Sequence, residues 1–193
     1  MLAAWSRQRW FDREFDFPVD VALFPETIER LRGTPARLED RLASLSDDAA
    51  RLRIGEAWSI LENVGHLIDL EPLWLGRAHD LANGLDGLRP ADLRNRATHE
   101  AGHNDADFAM LLAAFRSARA ALVEELETFT PESARRGARH PRLGSPMTAV
   151  DLAFFVAEHD DHHVARIAEL LLAPVHPVHR LVEPLTPKQE GPP

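Results

Sequence analysis

The chain has 193 residues, 45% of them hydrophobic, and a formal net charge of -9. That length supports one domain with a sizeable core, and the acidic balance argues against a nucleic-acid backbone as the main partner. There is no cysteine, which excludes disulfides, thiolate metal ligands and a cysteine nucleophile.

Residues 1–24 carry Trp5, Trp10, Phe11, Phe15, Phe17 and Phe24. They read as an aromatic arm packed over a helical body, a ligand-facing or dimer-facing role being the alternative. The arm lacks the apolar stretch of a signal peptide, and no apolar run reaches the roughly 20 residues of a membrane span. A cytoplasmic protein is expected. A short helix is predicted from Phe24 to Gly33, restarting at Thr34-Pro35, where threonine can cap and proline is tolerated at the first helical position. Leu38, Leu42 and Leu45 recur at helical spacing, and this helix is predicted to end near Ser46.

Ser59-Ile60-Leu61-Glu62 matches a capping box, opening a long helix to about residue 83. Val64, Leu67, Ile68 and Leu75 form its main apolar stripe. His66 projects from a second strip with Leu70 and Leu73. Glu71 lies near the centre of the main stripe, where a carboxylate needs a partner. Arg166 is the predicted partner, reached with the help of a kink at Pro72.

Gly84 to Asn104 is a long connection for two helices, read as a crossover along the bundle or a lid over one end. It contains His99-Glu100-Ala101-Gly102-His103, a match to the H-E-x-x-H zinc-protease pattern. That pattern needs a stable helix, and Gly102 weakens one. His99 and His103 are therefore read as solvated loop or pocket lining. Helical spacing returns from Asp105 to Phe129 through Phe108, Leu111, Phe115, Leu122 and Leu126. Pro131 to Gly144 is basic and irregular. Ser145-Pro146 is predicted to cap and start the last helix, which runs to about Leu172. From Pro174 the chain is Pro-rich and reads as an extended, poorly ordered tail.

Four amphipathic helices and no segment alternating at period two predict an all-α fold: a four-helix bundle with a long crossover connection. The predicted organisation is a single domain over 1–173, including the arm at 1–24, with a tail at 174–193. Within the last helix, His159 and His163 are about 40° apart on one face at helical geometry. An i, i+4 pair is a common way to offer two nitrogens to one metal ion, and His66 is the candidate third ligand. His162 lies on the flank and reads as a supporting or surface residue. A carboxylate di-iron site is the weaker alternative, because Glu62 and His66 are four apart and Asp160 is a poor substitute for glutamate.

Trp58 to Glu71, followed much later by His159-Asp160-Asp161-His162-His163-Val164-Ala165-Arg166-Ile167, resembles the DinB-like (YfiT-like) family over about residues 28–173. The resemblance implies a four-helix bundle that binds a divalent metal through His66, His159 and His163. Many members have glutamine where this chain has Arg166. Members include metal hydrolases and thiol-dependent S-transferases using bacillithiol or mycothiol, and a related group includes a maleylpyruvate isomerase. The expected cofactor is a divalent ion, zinc or nickel first and iron or manganese as alternatives, together with a low-molecular-weight thiol. The expected function is transfer to or from a small thiol. A hydrolase using metal-activated water and a non-catalytic, metal-stapled stress-response protein are the alternatives. Arg166 and Glu71 are the candidate catalytic residues. The expected partner is a small-molecule substrate, not nucleic acid or a membrane, and a homodimer stays open.

Overall fold

The computed structural model describes residues 7–173, so Trp5 and the tail expected from Pro174 lie outside the described residues. Its helices are α1 (Phe24–Leu42), α2 (Asp47–Arg51), α3 (Ile60–Ala82), α4 (Arg96–Glu100), α5 (Phe108–Leu126) and α6 (Ala149–Leu172). The long ones, α1, α3, α5 and α6, make the predicted four-helix bundle. α3 packs on α5 and α6, and α1 packs on the same two, so α3 and α6 are neighbours. Among the described residues no helix is long and apolar enough to cross a membrane.

The capping box at the start of α3 forms as predicted. The Glu62 amide donates to Ser59 Oγ at 3.1 Å, and the Ser59 amide donates to Glu62 Oε2 at 2.9 Å. Three boundaries differ from the sequence reading. α1 runs unbroken through Gly33 and Pro35. Proline at 35 removes the donor that the Leu31 carbonyl would receive, and Arg119 supplies a replacement, Nη1 donating to Leu31 O at 3.3 Å. α1 ends at Leu42, and a separate short helix, α2, follows.

The third difference is a small antiparallel hairpin, β1 (Gly137–Arg139) with β2 (Pro146–Thr148), pairing Ala138 with Met147. Three-residue strands are too short to show alternation in a sequence. Pro146 therefore belongs to a strand, and α6 begins at Ala149. Its cap is Thr148, in a box with Asp151. The hairpin also holds the start of the crossover, since the Leu88 amide donates to Arg139 O at 3.0 Å.

The apolar core falls into two clusters. One gathers Leu31, Trp74, Leu122 and Val156. The other gathers Leu38, Leu67, Phe115 and Ile167. Between them, on every long helix, stands a buried polar residue: Thr34, Glu71, Arg119 and Asp160. Arg119 Nε donates to Glu71 Oε1 at 3.0 Å, its Nη2 donates to Asp160 Oδ1 at 2.9 Å, and Thr34 Oγ1 donates to Asp160 Oδ2 at 2.8 Å. All four bundle helices meet in this layer.

The arm lies along α6, as read from its aromatic content. Arg13 pairs with Glu158 at 3.0 Å, and the Val19 amide donates to Asp151 Oδ1 at 2.6 Å. Trp10, Phe15 and Phe17 pack on the first core cluster.

Candidate metal centre

His66 comes from α3, and His159 and His163 from α6. One ligand atom from each lies within 4.8 Å of the others. All three rings are buried. The structure thus brings together the three histidines that the sequence singled out, on two helices that pack side by side.

Neighbouring groups set the tautomers. Thr98 Oγ1 donates to Asp69 Oδ2 at 2.7 Å, so it must accept from His66 Nδ1, 3.0 Å away. Asn63 Nδ2 donates to the Ser59 carbonyl at 2.7 Å, which turns Oδ1 toward His163 Nδ1 at 3.0 Å. In both histidines Nδ1 then carries the proton, and Nε2 keeps its lone pair. Outer partners of this kind orient metal-ligating histidines. His159 Nδ1 is buried without a hydrogen-bond partner among the described residues.

Burial keeps the rings neutral. Desolvation is the main cause that lowers His66 to about 4, with His103 and His99 adding to it and Asp69 opposing it. Burial and the adjoining imidazoles push His159 and His163 well below their ordinary value. Neutral imidazoles are the form that binds metal. Two fixed tautomers, a buried nitrogen lacking a partner and three neutral rings all fit a divalent ion. His66, His159 and His163 would hold it.

The other histidines sort differently. His99 is exposed at the end of α4, its ring 5.6 Å from that of Trp58. Gly102 at φ 64° ends the helical path before His103. His103 instead meets Asp69 Oδ2 at 2.9 Å through Nε2, so the H-E-x-x-H match is no metal site. The close fit of His103 explains Gly65, where an added Cβ would lie 2.2 Å from the His103 ring. His162 is buried beneath Arg7, which donates to its ring at 3.0 Å. Of its two readings the surface one fails, because the arm covers it.

The predicted Glu71–Arg166 pair does not form. Glu71 is bonded to Arg119, and Arg166 pairs with Glu169 at 2.9 Å. The reason is direction. Asn63 meets His163, while Trp74 meets Phe155, so α3 and α6 are antiparallel. Moving from His163 to Arg166 leads away from Glu71. Neither candidate catalytic residue lines the cavity beside the histidines.

That cavity holds about 400 Å³. His66, His159, His162 and His163 line it with Trp10, Trp58, Trp74 and Phe155, and Arg77, His140 and Arg142 line it as well. Trp10 is 4.9 Å from His159, ring to ring, so the arm reaches the site, the less favoured of its two readings. Among the residues that sequence reading gave no role at the histidines are Asn63 and Thr98. Asn63 is three residues before His66 and so on the same helix face. Thr98 offered no signal, because the short helix α4, folded back onto α3 from the crossover, delivers it.

Fold and site together define a helical-bundle protein with three buried histidines, placed to hold a divalent ion, lining an aromatic cavity. The model of the DinB superfamily matches residues 30–167, and the chain belongs to that superfamily. Among solved structures it is similar to YfiT from Bacillus subtilis, described as "a probable metal-dependent hydrolase with an unusual four-helix bundle topology". The TM-score is 0.70 at 24% identity, covering 82% of this chain and 91% of that one. No curated protein gives a significant match.

The pKa shifts carry a pH prediction for metal-free protein. A histidine depressed in the fold resists protonation that the unfolded chain accepts below about 6.5. Stability is then lost as pH falls from there toward 4. His66, His140 and His162, each lowered to about 4, act in this sense, and so do His159 and His163. Glu71, raised to about 7 by burial, acts in the opposite sense between about 7 and 4.5. Five groups outweigh one. Urea unfolding should therefore show a midpoint that is nearly flat from pH 8 to 7 and falls steadily from 6.5 to 4.5. A midpoint unchanged at pH 5 would contradict burial of neutral rings.

Proposed function

We propose that the protein is a divalent-metal-dependent enzyme that transfers a group to or from a small thiol. The observation that carries this reading is the cavity: three neutral imidazoles open onto a partly open, largely apolar space of about 400 Å³. Three protein ligands with room for a fourth are the pattern of a catalytic site. Bound there, a divalent ion supplies Lewis acidity that lowers the pKa of a coordinated nucleophile. The chain's own residues do the rest. Asn63 and Thr98 orient two of the rings. Trp10, Trp58 and Trp74 exclude water and provide flat walls for a substrate. The chain has no cysteine thiol and only one lysine, Lys188, so the thiol of this reaction enters from solution.

Hydrolysis is a second reading, favoured by the description of YfiT as a metal-dependent hydrolase. Both readings use the same side chains. The test is conjugation of bacillithiol or mycothiol to 1-chloro-2,4-dinitrobenzene, followed by absorbance, with and without bound metal. Metal-dependent conjugation supports transfer. Metal-dependent cleavage of p-nitrophenyl esters with no gain on adding thiol supports hydrolysis. Failure of both across a panel would leave a metal-stapled binding protein.

A further inference from the structure

The cavity has a second polar group that the metal centre does not use. Trp74 links the two: its ring lies 5.8 Å from that of His159 and 5.4 Å from the guanidinium carbon of Arg77. Arg77 is 2% exposed, yet no carboxylate lies within ion-pairing distance of it among the described residues. Its Nε donates to Arg89 O at 3.1 Å. The nearby Asp80 is turned to Arg89 instead, at 2.7 and 3.0 Å. Arg142 makes no side-chain hydrogen bond among the described residues, and its Nη2 is buried without a partner. Its guanidinium sits over Phe11 at 5.4 Å and Phe155 at 5.8 Å. Two guanidinium groups with no anion beside them are costly to bury. Desolvation lowers Arg77 to about 10 and lowers Arg142 as well.

His140 sharpens the point. Its Nδ1 faces the backbone N–H groups of Arg142 at 3.3 Å and Leu143 at 3.1 Å. Its Nε2 faces Arg77 Nη1 at 3.0 Å. A neutral imidazole accepts at one nitrogen only. With donors at both nitrogens, one contact sets donor against donor. Whichever nitrogen accepts, an imidazole N–H is left facing a donor. An anion accepting from Arg77 and from an Nε2–H of His140 would relieve the conflict.

We propose that Arg77, Arg142 and His140 form a carboxylate-binding subsite, and that the molecule processed at the three-histidine centre is a small carboxylate with an apolar body. A guanidinium pairs bidentately with a carboxylate. The walls between the two polar groups, Trp10, Trp74 and Phe155, suit an aryl or alkyl segment. The cavity gives this task to two arginines on elements other than α6, which carries the candidate catalytic residue Arg166. The inference rests on reading the cavity as the active site.

The test is ligand binding to metal-free protein, so that no ion can hold the carboxylate directly. Tryptophan fluorescence reports on the cavity through Trp10, Trp58 and Trp74. Saturable binding of 4-phenylbutyrate is expected, with 4-phenylbutyramide weaker by about tenfold or more, the scale of a lost charge-assisted bond. Arg142→Gln and Arg77→Gln should each remove that preference while leaving the amide's affinity unchanged. If Arg77→Gln fails to fold by circular dichroism, the half-buried Arg142→Gln decides alone. Equal binding of acid and amide would overturn the subsite, and so would a preference that survives substitution. Displacement by inorganic phosphate at equal concentration would overturn the carboxylate assignment. Failure of wild-type protein to retain metal would count against the metal centre and leave this result untouched.

Discussion

Alanine at His66, His159 or His163 is expected to abolish stoichiometric divalent metal binding, each alone. The three rings converge within 4.8 Å, and no other His, Asp or Glu joins the group among the described residues. Removing one leaves two imidazoles in a buried, apolar setting, too few to replace the ion's hydration shell. His99→Ala and His103→Ala should retain the metal, because His99 is exposed and His103 is committed to Asp69. Asn63→Ala and Thr98→Val should retain it with affinity lower by about 10–100-fold, the usual effect of losing the group that orients a ligating histidine. Elemental analysis after desalting gives the stoichiometry, and competition with a chromophoric chelator gives the affinity. Wild-type metal content in the His66→Ala protein would refute the assigned triad.

The parts of this site that could be read from sequence were those set by one helix. His159 and His163 share a face because a helix repeats every 3.6 residues, and that holds before any tertiary structure is known. The capping box fixed the start of α3, and hence the level of His66. What could not be read was relative direction. A helical wheel places Glu71 and Arg166 on inward faces but does not say that the two helices run antiparallel, which is why that pairing failed. Arg119 was legible in principle. It follows Phe115 by four residues and precedes Leu122 by three, so it occupies an apolar-stripe position on α5. A charge in a stripe is the same signal that drew attention to Glu71. Thr98, Arg77, His140 and Arg142 reach the site from α4 in the crossover, from α3 and from the hairpin turn. Their convergence depends on the crossover and the hairpin, neither of which has a periodic signature.

The largest stability loss is expected at Arg119. It is 1% exposed and faces two carboxylates that are as deeply buried, Glu71 at 3% and Asp160 at 0%. Removing the cation leaves both without their partner, and breaking a buried pair costs about 3–5 kcal/mol. Arg119→Met should lower stability by about that amount in urea unfolding. The Leu31 carbonyl, already deprived of a helical donor by Pro35, also loses its bond from Arg119. The loss should depend on pH. Glu71 has a carboxyl raised to about 7 by burial even with Arg119 present. Without the arginine it protonates more readily still, so the variant should be less damaged at pH 6 than at pH 8. A double-mutant cycle of Glu71→Gln with Arg119→Met should show coupling above 1 kcal/mol, on the scale seen for contacting groups that share a network, about 0.5–3 kcal/mol. The cycle of Glu71→Gln with Arg166→Met should be additive to within about 0.5 kcal/mol, as for residues without a shared partner. Asp160 adjoins His159 in the chain, and Glu71 lies on the same helix as His66. The charged layer therefore fixes the level at which α3 and α6 present their imidazoles to each other. Arg119→Met should accordingly weaken metal affinity as well as stability. Arg116→Met, which breaks only the exposed pair with Glu39 at 2.8 Å, should change neither by a measurable amount, because exposed pairs contribute little. Equal effects of Arg116→Met and Arg119→Met would refute the role of the buried layer.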